Sequence, residues 1–212
     1  PFSTGWADGA FGSNRASVAV SVANGSGVVA LRGGLANGAT STAFSLPFEP
    51  SARVYVPLVT ADATIGRLVV DPTGATHFET ESGTAFSEAQ VFTSLDGVSF
   101  DWTSAGTTPL TLLSGWTTTP YGTRAPAVRV VDRFVRLQGA MQGGTTGLAF
   151  TLPVGFRPSV NVYLPIGLCN ATKGRLAIAT NGNVTVVAEN GFANAQCFTS
   201  LEGASFALDE AA

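Results

Sequence analysis

The sequence predicts an all-β fold, built from two tandem antiparallel β-sandwich domains of jelly-roll-like type. Three observations support this prediction. The chain contains an internal repeat, each copy is a run of short apolar or β-branched segments separated by Gly, Pro, Asn or Asp, and helical 3.6-residue periodicity is absent. Only 12% of the 212 residues are charged and 14 are Phe, a composition that excludes a disordered tail.

The repeat is clearest at the end of each copy, where VFTSLDGVSF (91–100) matches CFTSLEGASF (197–206) at an offset of 106 residues. FSLPFEPSARVYVPL (44–58) matches FTLPVGFRPSVNVYLPI (150–166), which has two extra residues. Further matches are GRL (66–68) with GRL (174–176), LRGG (31–34) with LQGA (137–140), TGW (4–6) with SGW (114–116), and FG (11–12) with YG (121–122). We therefore expect two duplicated domains, residues 1–108 and 109–212, with the boundary inside 103–113.

Each copy is expected to contain about eight short strands, the number typical of sandwiches and jelly rolls. In the first copy the strand-like segments are residues 16–22, 28–32, 42–46, 52–58, 65–70, 76–80, 90–94 and 98–102. The second copy repeats the pattern, beginning at Val128–Val131.

Turn residues punctuate these strands. Asn24-Gly25 predicts a hairpin, because both residues adopt positive φ at low cost, and Asp132-Arg133 is the shorter equivalent. Leu-Asp-Gly (95–97) and Leu-Glu-Gly (201–203) predict hairpin turns whose acid caps turn N–H groups. Proline cannot donate to a central ladder, which places three residues at sheet edges or strand ends: Pro47, Pro50 and Pro57.

Repeated apolar residues are expected to specify the core. They are Phe44 and Phe150, Leu46 and Leu152, Phe92 and Phe198, and Phe100 and Phe206. Arg67 and Arg175, each between Gly and Leu, fit either a ligand clamp or a strand-edge residue that pairs with an acid or a carbonyl.

The two cysteines, Cys169 and Cys197, do not resemble a disulfide framework. Their counterparts in the first copy are Ala61 and Val91, both small and apolar. We therefore expect buried thiols, although a contact between the two is not excluded by the pattern.

Few residues suggest chemistry. Strand alternation places the one histidine, His77, on the same face as Glu79 and Glu81, which would suit a weak metal site, and Glu79 or Asp71 could orient it as a base. The second copy has no equivalent histidine, no GxxxxGK[ST] phosphate loop occurs, and no spacing favours a glycosidase-type carboxylate pair. We expect no catalytic residue, no metal site and no cofactor.

Charge limits the possible partners. With a pI near 5.0 and 11 basic residues, the chain lacks the basic stripe of a nucleic-acid binder. No apolar run approaches the ~18 residues of a membrane helix, so membrane insertion is not expected. Residues 1–110 hold four Arg and nine acids (net −5), and residues 111–212 hold seven basic residues and five acids (net +2).

Four arginines lie close together in the second copy: Arg124, Arg129, Arg133 and Arg136. They form either a solvated face or a surface that docks the acidic half of a neighbouring subunit. Aromatic residues in loop-like segments can stack on sugars or anchor an interface. The candidate receptor or subunit contacts are Trp6, Trp102, Trp116, Tyr121 and Arg124.

The order of the motifs resembles β-sandwich modules in the fibres, tail tips and minor tail proteins of tailed bacteriophages. Each copy has a GW-containing start, a V-x-L-x-G strand, F-T-L-P-x-G-F-R-P, a Y-x-P strand, GRL and a closing F-T-S-L-D/E-G-x-S-F. The similarity is best in 128–206, and the first copy departs from it at Phe48-Glu49-Pro50.

The resemblance implies a non-enzymatic virion protein, a tail fibre or minor tail protein that takes part in host attachment. Its implied partners are a host-surface glycan or protein and other virion subunits, and the implied assembly is a homo-oligomer, with a homotrimer favoured. A capsid spike or decoration protein with a purely structural role is the alternative. A polysaccharide depolymerase is a third interpretation, less favoured because such enzymes need a larger cleft-bearing domain.

Overall fold

A computed structural model describes residues 2–3, 5–23, 26–81 and 84–208. It confirms the all-β prediction: nearly all regular structure is antiparallel strand, with two short α-helices. The described chain divides into two compact units. Unit 1 runs to Ala105 and includes Asn170–Thr172, and unit 2 comprises the remaining residues from Gly106 onward.

Within the described residues, unit 1 has ten strands and one α-helix. In chain order they are β1 (Ala7–Asp8), β2 (Ser17–Ala23), β3 (Ser26–Arg32), β4 (Gly34–Ala36), β5 (Thr42–Ser45), β6 (Val54–Val59), β7 (Ile65–Val70), β8 (Ala75–Thr80), α1 (Ser87–Val91), β9 (Thr93–Ser94) and β10 (Ser99–Asp101). They form three antiparallel sheets, with strand orders β1-β4-β9, β10-β3-β2 and β5-β8-β7-β6.

Unit 2, as far as it is described (106–169 and 173–208), has eleven strands and one α-helix. They are β11 (Thr108–Pro109), β12 (Thr117–Thr118), β13 (Ala127–Val131), β14 (Phe134–Gln138), β15 (Ala140–Gln142), β16 (Leu148–Thr151), β17 (Val162–Gly167), β18 (Lys173–Ile178), β19 (Asn183–Ala188), α2 (Phe192–Cys197), β20 (Thr199–Ser200) and β21 (Ser205–Ala207). Their sheets have the orders β12-β15-β20, β11-β13-β14-β21 and β16-β19-β18-β17. Each sheet of unit 2 thus has a counterpart in unit 1, except that β11 has none there among the described residues.

Each unit encloses one hydrophobic core, to which strands of all three of its sheets contribute. Seven of the eight repeated core residues are buried as predicted, and Phe92 is the exception because it is only half-buried. Burying a Phe or Leu side chain contributes roughly 1.5–3 kcal/mol, so these positions specify the sandwich.

The chain passes between sheets at two adjacent corners in each unit. In unit 1, Gly33 lies between β3 and β4, and Leu95–Val98 lies between β9 and β10. The prediction of a hairpin at Leu-Asp-Gly is wrong, because β9 and β10 belong to different sheets and do not pair. The acid also binds elsewhere than predicted: Asp96 Oδ1 accepts a hydrogen bond from Gly33 N at 2.9 Å.

Unit 2 repeats this arrangement. Gly139 N donates to Glu202 Oε1 at 2.8 Å, and Leu201 N donates to Gly139 O at 2.9 Å. A side chain at Gly139 would meet Ala125 and Arg124 backbone atoms, and its φ is +87°. Only glycine fits at this corner. The hydrogen bond between the repeated Gly and the repeated acid therefore connects the two places where the chain passes between sheets.

The other turns confirm some predictions and correct others. Asp132 and Arg133 both have positive φ (49° and 69°) and join β13 to β14 as predicted. The Asn24-Gly25 turn lies outside the described residues, although the flanking Ala23 and Ser26 are paired. The strand predicted at 90–94 is mostly α1 and its end, and only Thr93–Ser94 is strand.

Pro57 lies in β6, an edge strand of its sheet, as predicted. Arg67 and Arg175 instead lie on β7 and β18, which are interior strands, so the strand-edge placement is wrong. The expected pairing with an acid is confirmed for Arg67, whose Nε donates to Glu79 Oε2 at 2.6 Å.

A tryptophan ring packs closely against a glycine in each unit. Trp116 Nε1 donates to Thr146 O at 2.9 Å, and a Cβ placed on Gly144 would overlap the Trp116 ring. Trp6 has the same relation to Gly38, and its Nε1 donates to Thr40 O at 3.0 Å. The glycine lets the indole approach the backbone closely, so the repeated GW start is a core element.

We expect Gly144→Ala to lower the free energy of unfolding of the chain by about 1–3 kcal/mol, because the new methyl group overpacks the Trp116 ring. The measurement is denaturant unfolding followed by tryptophan fluorescence. Gly155→Ala is the control, since a Cβ there meets nothing within 4 Å. Equal stability of the two variants would contradict the role assigned to Gly144.

Candidate functional site

Burial corrects the interpretation of the tryptophans as contact residues. Trp6 and Trp116 are each only 5% exposed, because each ring is packed into the core of its own unit. Trp102 is half-buried and makes an edge contact with Phe48, with ring centroids 5.1 Å apart. The loop-like sequence around Trp6 and Trp116 did not predict their burial, because these indoles point inward from irregular segments.

Arg124 is also not a surface contact residue. It is 6% exposed, and its Nε donates to Glu202 Oε1 at 2.8 Å. Arg129 is buried as well, whereas Arg133 is exposed and Arg136 half-buried. The prediction of one solvated arginine face is therefore wrong for Arg124 and Arg129, and Arg124 helps hold the acid of the sheet corner.

Tyr121, the remaining candidate, is 57% exposed. It lies in the 3-10 turn Pro120–Gly122 with φ 55° and ψ 30°, a left-handed conformation that is unusual for a bulky residue. Its counterpart Phe11, in the turn Ala10–Gly12, has φ 53° and is 82% exposed. Phe11 is not among the residues predicted as contacts, although the match of FG (11–12) with YG (121–122) was a signal for it.

The rings of Phe11 and Tyr121 each contact a phenylalanine in the closing motif of their own unit. The Tyr121 ring lies edge-on to Phe198 with centroids 5.7 Å apart, and the Phe11 ring has the same relation to Phe92, also at 5.7 Å. Val91, which precedes Phe92 in the chain, is 52% exposed. We refer to Phe11 and Tyr121, with their turns, as the aromatic turns. Each presents a fixed ring that can contact a sugar or an apolar side chain.

Cys169 and Cys197 form a disulfide, with Cα atoms 5.6 Å apart, so the expectation of buried free thiols is wrong. The bond joins the turn after β17 to the last residue of α2. Tyr121 Oη lies 3.7 Å from Cys197 Sγ, which places the bond directly beside the aromatic turn of unit 2. Unit 1 has Ala61 and Val91 at the two positions, and this absence of sulfur in one copy suggested small apolar residues instead of a bond.

A charge network occupies one face of β7 and β8 in unit 1. Arg53 Nε donates to Asp71 Oδ1 at 2.6 Å, and His77 lies between Asp71, at 3.9 Å, and Glu79, at 3.3 Å. Arg67 pairs with Glu79 and stacks over Tyr55, 4.7 Å from the ring centroid. Unit 2 has no such chain of charges at the matched positions, where Val187 stands opposite Arg175.

The network changes the pKa of two of its members. Burial acts to raise the pKa of Glu79, but the hydrogen bond with His77 and the charge of Arg67 outweigh it, so the pKa is lowered. Hydrogen bonds with Tyr55 and then Asp71 raise the pKa of Arg53. Hydrogen bonds and nearby opposite charges therefore favour the charged forms of Glu79 and Arg53.

The network does not resemble a reaction centre. Both carboxylates beside His77 are held by guanidinium groups, which leaves the imidazole without an acid dedicated to orienting it. Within the described residues, no three His, Cys, Asp or Glu side chains are grouped closely enough to hold a metal ion. No helix in the described part of the chain has the length and apolar character needed to cross a membrane.

Comparison with known proteins adds one structural likeness. No protein-family model and no curated protein matches this chain. A solved structure, the receptor binding protein (gp15) of Listeria phage PSA, is similar with a TM-score of 0.39 and 18% sequence identity. The similarity covers 49% of this chain and 65% of that one, so less than two thirds of the phage protein is matched.

Replacing Cys169 with Ala and Cys197 with Val, the residues of unit 1, should lower the free energy of unfolding by about 3 kcal/mol. The physical reason is the loss of a cross-link that closes a 28-residue separation, for which the chain-entropy estimate lies between about 3 and 5 kcal/mol. Denaturant unfolding measures the change.

Thiol labelling of the wild type tests the disulfide bond directly. Denatured, non-reduced wild type should show no thiol reactive toward a maleimide, and reduced wild type should show two, one for each cysteine of the chain. Two reactive thiols before reduction would contradict the disulfide.

In the variant Glu79→Gln, the free energy of unfolding should fall less steeply than in the wild type as the pH is lowered. Because its folded pKa lies below the unfolded value, ionised Glu79 stabilises the fold above the unfolded pKa, and this contribution disappears as the pH falls through the folded pKa. The side chain is 36% exposed, so we expect a difference of only about 0.5 kcal/mol between about pH 5.5 and about pH 3.

Urea unfolding at a series of pH values measures this effect. Glu49→Gln is the control, since Glu49 is exposed and lies outside the network. If both variants keep the pH slope of the wild type, Glu79 does not contribute as described.

Proposed function

We propose that this chain is a bacteriophage virion protein, a tail fibre or minor tail protein that contacts the host surface through its aromatic turns. The observation that carries the proposal is the exposed ring held at the same position in both units, Phe11 and Tyr121. The motif order that resembles phage fibre and tail modules supports the virion setting.

The two rings have the properties expected of contact residues. A fold gains little from a ring that is mostly in solvent, and the left-handed backbone under it carries a cost of order 1 kcal/mol. Aromatic rings bind well to the C–H faces of sugars and to apolar protein side chains while losing little conformational entropy.

Two copies of the unit in one chain would strengthen contact with the host surface. We propose that the units arose by duplication, as domains 1–108 and 109–212, which the matched sheet orders support. Two rings per chain, multiplied in a homo-oligomer for which a trimer is the favoured state, convert weak individual contacts into strong attachment.

We further propose that the protein is not an enzyme and uses no cofactor. Its titratable cluster, around His77, is occupied by internal ion pairs. A purely structural role on the capsid or tail is the alternative function.

The double variant Phe11→Ala and Tyr121→Ala should bind at least tenfold more weakly than the wild type to cells of the bacterium that the phage infects, because truncation of a hot-spot residue at an interface costs about 2 kcal/mol or more. Binding of the fluorescently labelled protein to intact cells is the measurement.

Phe134→Ala is the matched control, since Phe134 is another exposed aromatic but lies in the β13–β14 hairpin. Binding that is unchanged in the double variant would exclude the aromatic turns as the contact. No binding by the wild-type oligomer, together with gold labelling on the capsid, would favour the structural role.

A further inference from the structure

The surroundings of the aromatic turn differ chemically between the units. Unit 2 has a phenol hydroxyl at Tyr121 and a disulfide between Cys169 and Cys197, whereas the matched side chains of unit 1 contain neither oxygen nor sulfur. Tyr121 Oη lies 3.7 Å from Cys197 Sγ, and since a disulfide sulfur carries no hydrogen, the hydroxyl is the donor of this weak hydrogen bond. The hydroxyl and the sulfur that distinguish unit 2 are therefore in contact with each other.

The disulfide is not needed to hold the end of β17 against the strand that follows α2. Leu168 forms an isolated antiparallel bridge with Thr199. Unit 1 forms the matching bridge, between Thr60 and Thr93, without any sulfur nearby in the sequence. The disulfide therefore adds a restraint that the fold of the unit does not require.

The Tyr121 ring is held at two points by consecutive residues of the chain. The ring contacts Phe198 edge-on, with centroids 5.7 Å apart, and its hydroxyl contacts the preceding residue, Cys197. Phe11 has the first of these contacts, with Phe92, but it has no hydroxyl to make the second. Tyr121 is also less exposed than Phe11. The contact with Cys197 is thus an additional restraint on the orientation of the unit 2 ring.

Reduction of the disulfide displaces the sulfur that Tyr121 contacts. Bonded sulfurs lie about 2.0 Å apart, whereas the sulfurs of two thiols separate to van der Waals distance. Cys197 Sγ is both a member of the bond and the acceptor of the Tyr121 hydroxyl, so breaking the bond changes the geometry of the contact. Both cysteines are half-buried and Gln196 is exposed, which gives a small thiol access to the bond.

We propose that the Cys169–Cys197 disulfide is a redox-controlled positioning element for Tyr121. In the oxidised protein the bond holds Cys197 Sγ where the phenol donates to it, so the ring keeps one orientation. In the reduced protein this sulfur is released and the ring gains rotational freedom. The contact through Phe11 in unit 1 is not subject to this control. That the orientation of the ring affects attachment rests on the proposed function.

The redox step is balanced with a small thiol as the reductant. Its thiolate attacks one sulfur of the bond and forms a mixed disulfide, and the other cysteine leaves as a thiolate that takes up a proton. A second small thiolate attacks the mixed disulfide and releases the remaining cysteine, which is also protonated. The protein gains two electrons and two protons, and the reductant ends as its own disulfide. Oxidation is the reverse reaction, with a small-molecule disulfide as the oxidant.

The compartment determines which state the protein has. Disulfides are rare in the reducing cytosol and persist outside the cell. A virion protein of the proposed kind is made inside the host cell and acts outside it. We therefore expect the disulfide to form after release, so that the Tyr121 contact reaches its full strength only outside the host.

Fluorine NMR of the whole chain tests the positioning role without a host. Labelling with 3-fluorotyrosine places a fluorine on each of the three tyrosines, and replacing each tyrosine in turn by Phe assigns the signals. We expect dithiothreitol to shift or broaden the Tyr121 signal and to leave the signals of Tyr55 and Tyr163 unchanged. In the control variant Cys169→Ser with Cys197→Ser, the reductant should change no signal.

Binding to host cells tests the consequence for the contact. In the background Phe11→Ala, the pair Cys169→Ser and Cys197→Ser should weaken binding about two- to tenfold, because a ring that is free to rotate loses more entropy when it binds. In the matched background Tyr121→Ala, the same pair of substitutions should leave binding unchanged. Circular dichroism verifies that the variants fold, and if the serine pair does not, the cysteine protein kept in dithiothreitol replaces it.

Two results would overturn the proposal. One is a Tyr121 signal that reduction leaves unchanged, or that changes only together with the signals of Tyr55 and Tyr163. The other is equal binding of the cysteine and serine proteins in the background Phe11→Ala. Failure of the wild type to bind any cells counts instead against the proposed function, and the fluorine signal then still decides the positioning role.

Discussion

One hydrogen bond in each unit holds together the two places where the chain changes sheets. The carboxylate of Asp96 or Glu202 accepts the N–H of Gly33 or Gly139. The partners are 63 residues apart in sequence, yet they lie at adjacent corners, so one bond fixes the relation of two sheets. In unit 2 the carboxylate is buried and is also held by Arg124, which offsets the cost of taking a charge out of water.

The shared frame makes the differences between the units informative. A charge network around His77 occurs in unit 1, whereas the disulfide occurs in unit 2. Neither feature is needed to build the sandwich, because the other unit forms its sheets without it. The two units therefore differ in these features, while the aromatic turns are an exposed feature common to both.

Sequence reasoning predicted what depends on local chemistry or on repetition. It identified the buried Phe150 and Leu152, the edge position of Pro57 and the turn at Asp132-Arg133, because each follows from apolar character or backbone preference. It failed where the outcome depends on tertiary partners. A Leu-Asp-Gly turn has the same local signal whether its flanking strands pair with each other or enter different sheets. Trp116 looked like a loop residue because the glycine that receives it, Gly144, is 28 positions away.

The backbone of the aromatic turns argues that their rings have a use outside the fold. The same left-handed conformation occurs at Asp62 and Asn170, residue types that adopt it at little cost. For the aromatic residues Phe11 and Tyr121, this backbone conformation has a higher energy. Glycine or asparagine at either position would relieve the strain without removing a core side chain. The edge contacts with Phe92 and Phe198 return part of that cost, yet they leave most of each ring in solvent. A ring kept at a strained and exposed position in both units is best explained by contact with a partner surface, as the proposed function requires.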